Sequence, residues 1–243
     1  MRGLRIAEIL FVSFFIALIA LVAVTAAPIG PSTVDEKGTS RYGLSTTAAN
    51  LTAIAGNVTE VNFDATSITQ TWQGYFGNIT GNIVLGNANN DTLYNWVLAA
   101  PQGEVYATRD ASVPAWAGIR CANSTEIGIE EVTNLGANES AGDGVTETFS
   151  GSVHPGFSVG TEPILANNCS STNLYNDTGS QTDSFFEVLL SDAASSNLIY
   201  TALLEDSVIG FDGKEHDFQM LVGEDGHAGD TAVTPYYFYL EIE

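Results

Sequence analysis

The sequence predicts an all-β fold, a β-sandwich ectodomain, preceded by a long N-terminal hydrophobic α-helix. Three observations carry this prediction. Residues Ile9 to Ala27 (ILFVSFFIALIALVAVTAA) form a 19-residue run without a charge. From about residue 57 the chain breaks into short apolar or alternating runs separated by Gly, Asn and Asp. Such runs are the signature of half-buried strands joined by turns. Helical spacing is found only in Thr125–Leu135, through Ile127, Ile129, Val132 and Leu135. The chain therefore divides into an N-terminal segment (1–27), a flexible linker (28–46) and an extracellular domain (47–243).

At 1.5 Å per residue the apolar run makes roughly 28 Å of helix, close to the ~30 Å of a bilayer core. Pro28, Gly30 and Pro31 stop it. Arg2 and Arg5 precede it and a strongly acidic remainder follows. The positive-inside rule then puts the N-terminus in the cytoplasm and residues 28–243 outside. The run can act as a cleaved secretory signal, with Ala23, Thr25, Ala26 and Ala27 supplying small residues for cleavage, although its core exceeds the usual length. It can equally be a permanent anchor in the membrane.

A third role is indicated by the residues ahead of the run, Met1-Arg2-Gly3-Leu4-Arg5-Ile6-Ala7-Glu8. A basic residue, then Gly, then a hydrophobic residue, with a glutamate five positions after the Gly and an unbroken apolar helix beyond, resembles the class III signal of type IV pilins and archaellins. The resemblance covers about residues 1–27 and points to an archaeal source. It implies cleavage between Gly3 and Leu4 by a prepilin peptidase, retention of the helix, and an assembly role for Glu8. A carboxylate at the edge of an apolar segment needs a partner, and the resemblance supplies one in the N-terminal ammonium of a neighbouring copy. Arg5 departs from the small or hydroxyl residue common at that place, and it stands three residues before Glu8, within pairing distance on a helix.

Residues 28–46 (PIGPSTVDEKGTSRYGLST) are rich in Pro, Gly and Ser and lack apolar periodicity, as a spacer would. Strands are then expected at Asn57–Ala65, Ile68–Phe76, Asn78–Leu85, Thr92–Ala99, Gly103–Arg109, Ala115–Cys121, Val145–Val153, Ser184–Leu190, Leu198–Leu204, His216–Val222 and Pro235–Ile242. In the last, Tyr236, Phe238, Leu240 and Ile242 share one face, and Tyr237, Tyr239, Glu241 and Glu243 the other. Gly77-Asn78 and Gly86-Asn87 read as turns, and Asp206–Asp217 as a hairpin turn. Trp72, Trp96 and Trp116 are expected mainly in packing, and as a sugar-stacking platform only if they form an exposed row.

Charge excludes one class of partner. The chain holds 7 basic and 29 acidic residues, a formal net charge of −22. Beyond residue 27 there are five basic and 28 acidic residues, leaving −23. Such a surface repels phosphate backbones, so no nucleic-acid partner is expected. Cys121 and Cys169, 48 positions apart and outside the cell, are expected to form a disulfide. Eight sequons, at Asn50, Asn57, Asn78, Asn90, Asn123, Asn138, Asn168 and Asn176, read as a glycosylated surface. Catalytic residues are not indicated: HExxH, GxSxG, Walker and GxGxxG patterns are missing from the sequence. The acidic turn Glu224–Asp230 is a candidate Ca²⁺ site through Asp225, His227 and Asp230, since oxygen ligands on a glycine-rich loop suit that ion. A solvated turn has the same composition.

These readings lead to a non-enzymatic structural subunit of an extracellular pilus-like filament. It is inserted in the membrane before assembly and joined to copies of itself through the N-terminal helix. The alternative is a membrane-anchored cell-surface glycoprotein that binds cations, glycans or envelope partners.

Overall fold

The computed structural model describes residues 27–44, 47–137, 141–181, 183–192, 194–195, 197–225 and 233–242. The apolar helix with Gly3, Leu4 and Glu8, the sequon at Asn138, and His227 and Asp230 lie outside the described residues. What is described is mostly β-strand with little helix. In chain order the strands are β1 (Trp72–Gly77), β2 (Gly81–Gly86), β3 (Thr92–Leu98), β4 (Gly103–Thr108), β5 (Arg120–Cys121), β6 (Phe157–Val159) and β7 (Glu162–Ile164). They continue with β8 (Ser171–Asn173), β9 (Phe186–Ser191), β10 (Leu198–Leu203), β11 (Val208–Ile209), β12 (Glu215–His216), β13 (Phe218–Gly223) and β14 (Tyr237–Ile242). Two short helices, α1 (Ser124–Ile129) and α2 (Val145–Thr148), fall between β5 and β6.

The main sheet runs β14-β4-β10-β9, and the outer edge of β9 is shared by β5 and β8. All of these pairs are antiparallel. Both faces of the sheet are covered, which explains why β9 (FEVLLS) and β10 (LIYTAL) read as nearly continuous apolar runs. On one face Val105, Ala107, Leu189, Tyr200 and Ala202 pack with Ile127, Leu135, Val145, Phe149, Met220 and Val222. That layer comes from α1, α2 and the antiparallel pair β1–β13. On the other face Tyr106, Val188, Leu190 and Ile199 pack with Trp116, Ile119, Val159, Ile164 and Cys169. The β6–β7 hairpin belongs to this second layer.

Several elements depart from the sequence expectation for local reasons. Residues 57–65 make no strand and are exposed throughout. Their alternation is genuine, but no ladder partner stands beside them among the described residues. The expected strand at 145–153 begins instead as the helical turn α2, where Phe149 N–H closes onto Val145 O. Helix α1 starts where Asn123 Oδ1 accepts from the backbone N–H groups of Thr125 and Glu126, each at 3.0 Å. Glu126 answers by accepting from Asn123 N–H at 2.8 Å, a capping box. The turn Glu130–Asn134 then widens to π geometry before Leu135. In β14 the face shared by Tyr237, Tyr239 and Glu241 is covered over part of its length: Glu241 is buried and Tyr239 packs on Trp116, while Tyr237 is exposed.

One contact joins the start of the described chain to its end. Ile29 N–H donates to Leu240 O at 2.9 Å and Leu240 N–H to Ile29 O at 2.7 Å, which adds a single residue to the outer edge of β14. At the other corner of β14, Gly81 opens β2 so close to the sheet that a Cβ there would stand 2.5 Å from Ile242 Cδ1. From that point β2 and β3 leave the body as a separate two-stranded ribbon.

Candidate functional site

The sequence offers the interior many carboxylates and few cations, and the fold distributes both unevenly. Arg120 Nη1 and Nη2 donate to Glu126 at 2.8 and 2.6 Å, and Ser191 Oγ donates to Glu126 Oε1 at 3.1 Å. The Arg120 guanidinium holds the Glu126 carboxyl well below the usual range, at about 2. Arg109 pairs with the buried Glu130, which also accepts from Tyr200 Oη at 3.2 Å and Asn134 Nδ2 at 2.8 Å. Burial, reinforced by the Glu130 charge, pushes the Tyr200 and Tyr236 hydroxyls upward, so both stay protonated as donors. A cavity of about 270 Å³ beside Arg109 is lined also by Asp110, Ala111, Asn134, Asn197 and Leu198. Its cation already faces Glu130, so the cavity offers polar groups with little net positive charge.

A second carboxylate group lies under the β6–β7 turn. Glu104 and Glu241 are directly opposed on β4 and β14, and Tyr106 Oη lies 3.2 Å from an oxygen of each. Gly160 N–H meets both oxygens of Glu241 at 3.0 Å. Glu187, fully buried in β9, accepts from Leu221 N–H at 2.8 Å, and burial pushes its carboxyl well up. These groups bind strands and turns to one another. None of them lines the Arg109 cavity.

The sites read from sequence are spread over the surface. Cys121 and Cys169 form the expected disulfide, with Cα atoms 5.0 Å apart. Among the sequons, Asn50, Asn57, Asn78, Asn90, Asn123 and Asn168 are exposed and Asn176 is half-buried. Asn123 and Asn176 accept their hydrogen bonds on Oδ1, the atom that a glycan does not use. Asn168 Nδ2 donates to Cys121 Sγ at 3.4 Å, beside the disulfide. Asp225 is half-buried at the end of β13, and among the described residues no three His, Cys, Asp or Glu side chains are grouped to hold a metal ion.

Sequence reasoning missed what the ribbon does with its apolar residues. Gly81, Ile83 and Leu85 of β2 are in register with Leu98, Trp96 and Tyr94 of β3, so one face is wholly apolar. The reverse face pairs Asn82 with Val97 and Val84 with Asn95. Trp96, expected in packing, is 46 % exposed, and its ring lies 4.7 Å from that of Tyr94. Leu93 and Val97 are 79 % and 77 % exposed. The signal available in the sequence was charge: between Asp64 and Glu104 the only charged residue is Asp91, at the ribbon tip. A two-stranded unit with this much exposed apolar surface is the mark of an interaction site.

No protein-family model, curated protein or solved structure matches the chain.

Proposed function

We propose that the chain is a structural subunit of an extracellular filament of the type IV pilin kind. In this reading Leu4–Ala27 form the helical filament core, and the β-rich domain, a sandwich built around the β14-β4-β10-β9 sheet, forms a glycosylated acidic sheath. The observation that supports it best is the pairing of Ile29 with Leu240. Only Pro28 separates the apolar run from the sheet edge, so helix and head would move as one piece, as packing into a regular assembly requires. Assembly would proceed by apolar burial of the helices, with Glu8 paired to a neighbouring N-terminal amine. The N-terminal residue of the native protein tests the reading: Leu4 supports it, Met1 indicates a permanent anchor, and a start near Pro28 indicates secretion. Gly3→Val should block processing, and Glu8→Leu should lower filament yield with the head still folded. Normal filaments from both variants would remove the hypothesis.

A second reading, a membrane-anchored glycoprotein that binds glycans, is favoured by the exposed Tyr94–Trp96 pair, because aromatic faces stack on sugar rings. Oligosaccharide binding that Trp96→Ser abolishes would support it.

A further inference from the structure

We propose that residues 57–65 of one copy of this chain add as a third strand to an open edge of the β2–β3 ribbon of a second copy. The inference rests on the reading of the chain as a self-associating subunit and names a contact made by the head. Both edges of the ribbon lack a ladder partner among the described residues, and an isolated two-stranded unit gains its stability only when a third strand or another layer is added. The same chain carries a strand-like segment with no sheet. In residues 57–65, Thr59, Val61, Phe63 and Ala65 alternate with Val58, Glu60, Asn62 and Asp64. Phe63 is 85 % exposed, and every residue of the segment is exposed to solvent.

Chain length favours a second copy over the segment's own ribbon. Thr69 Oγ1 donates to Asp143 Oδ2 at 2.6 Å and Trp72 Nε1 to Asp143 O at 2.6 Å, which ties the chain down at the start of β1. The ribbon begins beyond the other end of that strand. Phe63 lies six residues before Thr69, a reach of about 20 Å, which is about the length of β1 itself. Its own ribbon is within reach only if residues 63–69 are fully extended along the whole of β1 and 57–62 continue beyond it, a constraint that a second copy does not impose. Charge permits the contact in trans: Glu60 and Asp64 would approach a surface whose only charge is Asp91, whereas the rest of the acidic head would repel them. Added as a strand, the segment would place Val61 and Phe63 beside the Ile83, Leu85, Tyr94 and Trp96 row, and the backbone of the open edge would be paired. A sugar ring is a poorer occupant, because the Tyr94 hydroxyl and the Trp96 indole N–H are the only side-chain polar groups that the Ile83, Leu85, Tyr94 and Trp96 row offers.

Hydrogen exchange on the full chain in detergent solution, at low and high protein concentration, reads the contact. The expected result is exchange of the 57–65 amides and of one ribbon edge slowed at least roughly tenfold at high concentration only, with both protections lost in Phe63→Asp. Phe63 lies outside every strand and helix, so this variant leaves the head folded. Protection independent of concentration would mean docking within one chain and would overturn the proposal. So would fast exchange at every concentration. Ribbon protection produced by added chito-oligosaccharide, with residues 57–65 still exchanging fast, would overturn it in favour of a glycan. A native start at Leu4 together with unprotected 57–65 amides would sink this contact and leave the filament reading standing.

Discussion

Glu187 shows at the residue scale how this chain accommodates acidity inside the head. Its carboxyl is fully buried between β9 and β13, with one backbone donor on Oε2 and Oε1 unpartnered among the described residues. Burial raises its folded-state pKa well above the ordinary 4.5. The unfolded chain therefore releases this proton first, and stability falls as pH rises above about 4.5. Glu205, also raised by burial, contributes in the same direction. Glu126 has the opposite sign: its stabilisation is present above its ordinary value and disappears as pH falls toward about 2. Glu187→Gln keeps the acceptor for Leu221 and removes the ionisation. Thermal melts should therefore show a higher midpoint than the wild type at pH 7, a difference that vanishes near pH 4. Parallel curves for the two proteins across that range would show that Glu187 is ionised in the folded state.

At the scale of elements, the outer edge of β9 depends on the disulfide. Neither β5, two residues long, nor β8, three residues long, is long enough to hold its place by ladder bonds alone. Cys121 ends β5, and Cys169 lies two residues before β8. The bond therefore ties both edge pieces together across a separation of 48 residues. Loop-closure entropy gives about 4 kcal/mol for such a span. Reduction should lower the melting midpoint by about 10 °C, with the 120–121 and 171–173 amides losing exchange protection ahead of those in β10. Uniform loss across the sheet would refute a local role for the bond. The cysteine pairing was legible from the count of two and the expected compartment, and β9, β10, β14 and the hairpin of β11 with β12 from their patterns. Residues 57–65 were misread because period-2 alternation reports a strand's faces and says nothing of whether an edge awaits it. Val145–Thr148 was misread because β-branched residues suit strands in general, whereas here Gly144 and Glu131 fix a turn: a Cβ on Gly144 would meet Glu131 Oε1 at 2.0 Å. The buried Glu104, Glu241 and Glu130 had no signal in sequence, since carboxylates were expected on the surface.

For the whole molecule, two of the five basic residues beyond residue 27, Arg109 and Arg120, are committed to Glu130 and Glu126. Lys37, Arg41 and Lys214 alone are left to offset the acidic surface. Self-repulsion then opposes the compact state. The melting midpoint should rise as NaCl goes from about 0.01 M to about 0.15 M, where the screening length falls from about 30 Å to about 8 Å. A midpoint insensitive to salt would mean that bound cations or the fold itself already neutralise the surface. Mechanically, the pairing of Ile29 with Leu240 puts two hydrogen bonds in the path of any tension applied through residue 27. Both bonds belong to one residue pair, so they would break together, and the load would then pass from β14 to the chain beyond residue 29. Their rupture would free 30–44, a stretch with no strand or helix, to pay out as slack. The junction would therefore give way early under load and protect the sheet from sudden pulls.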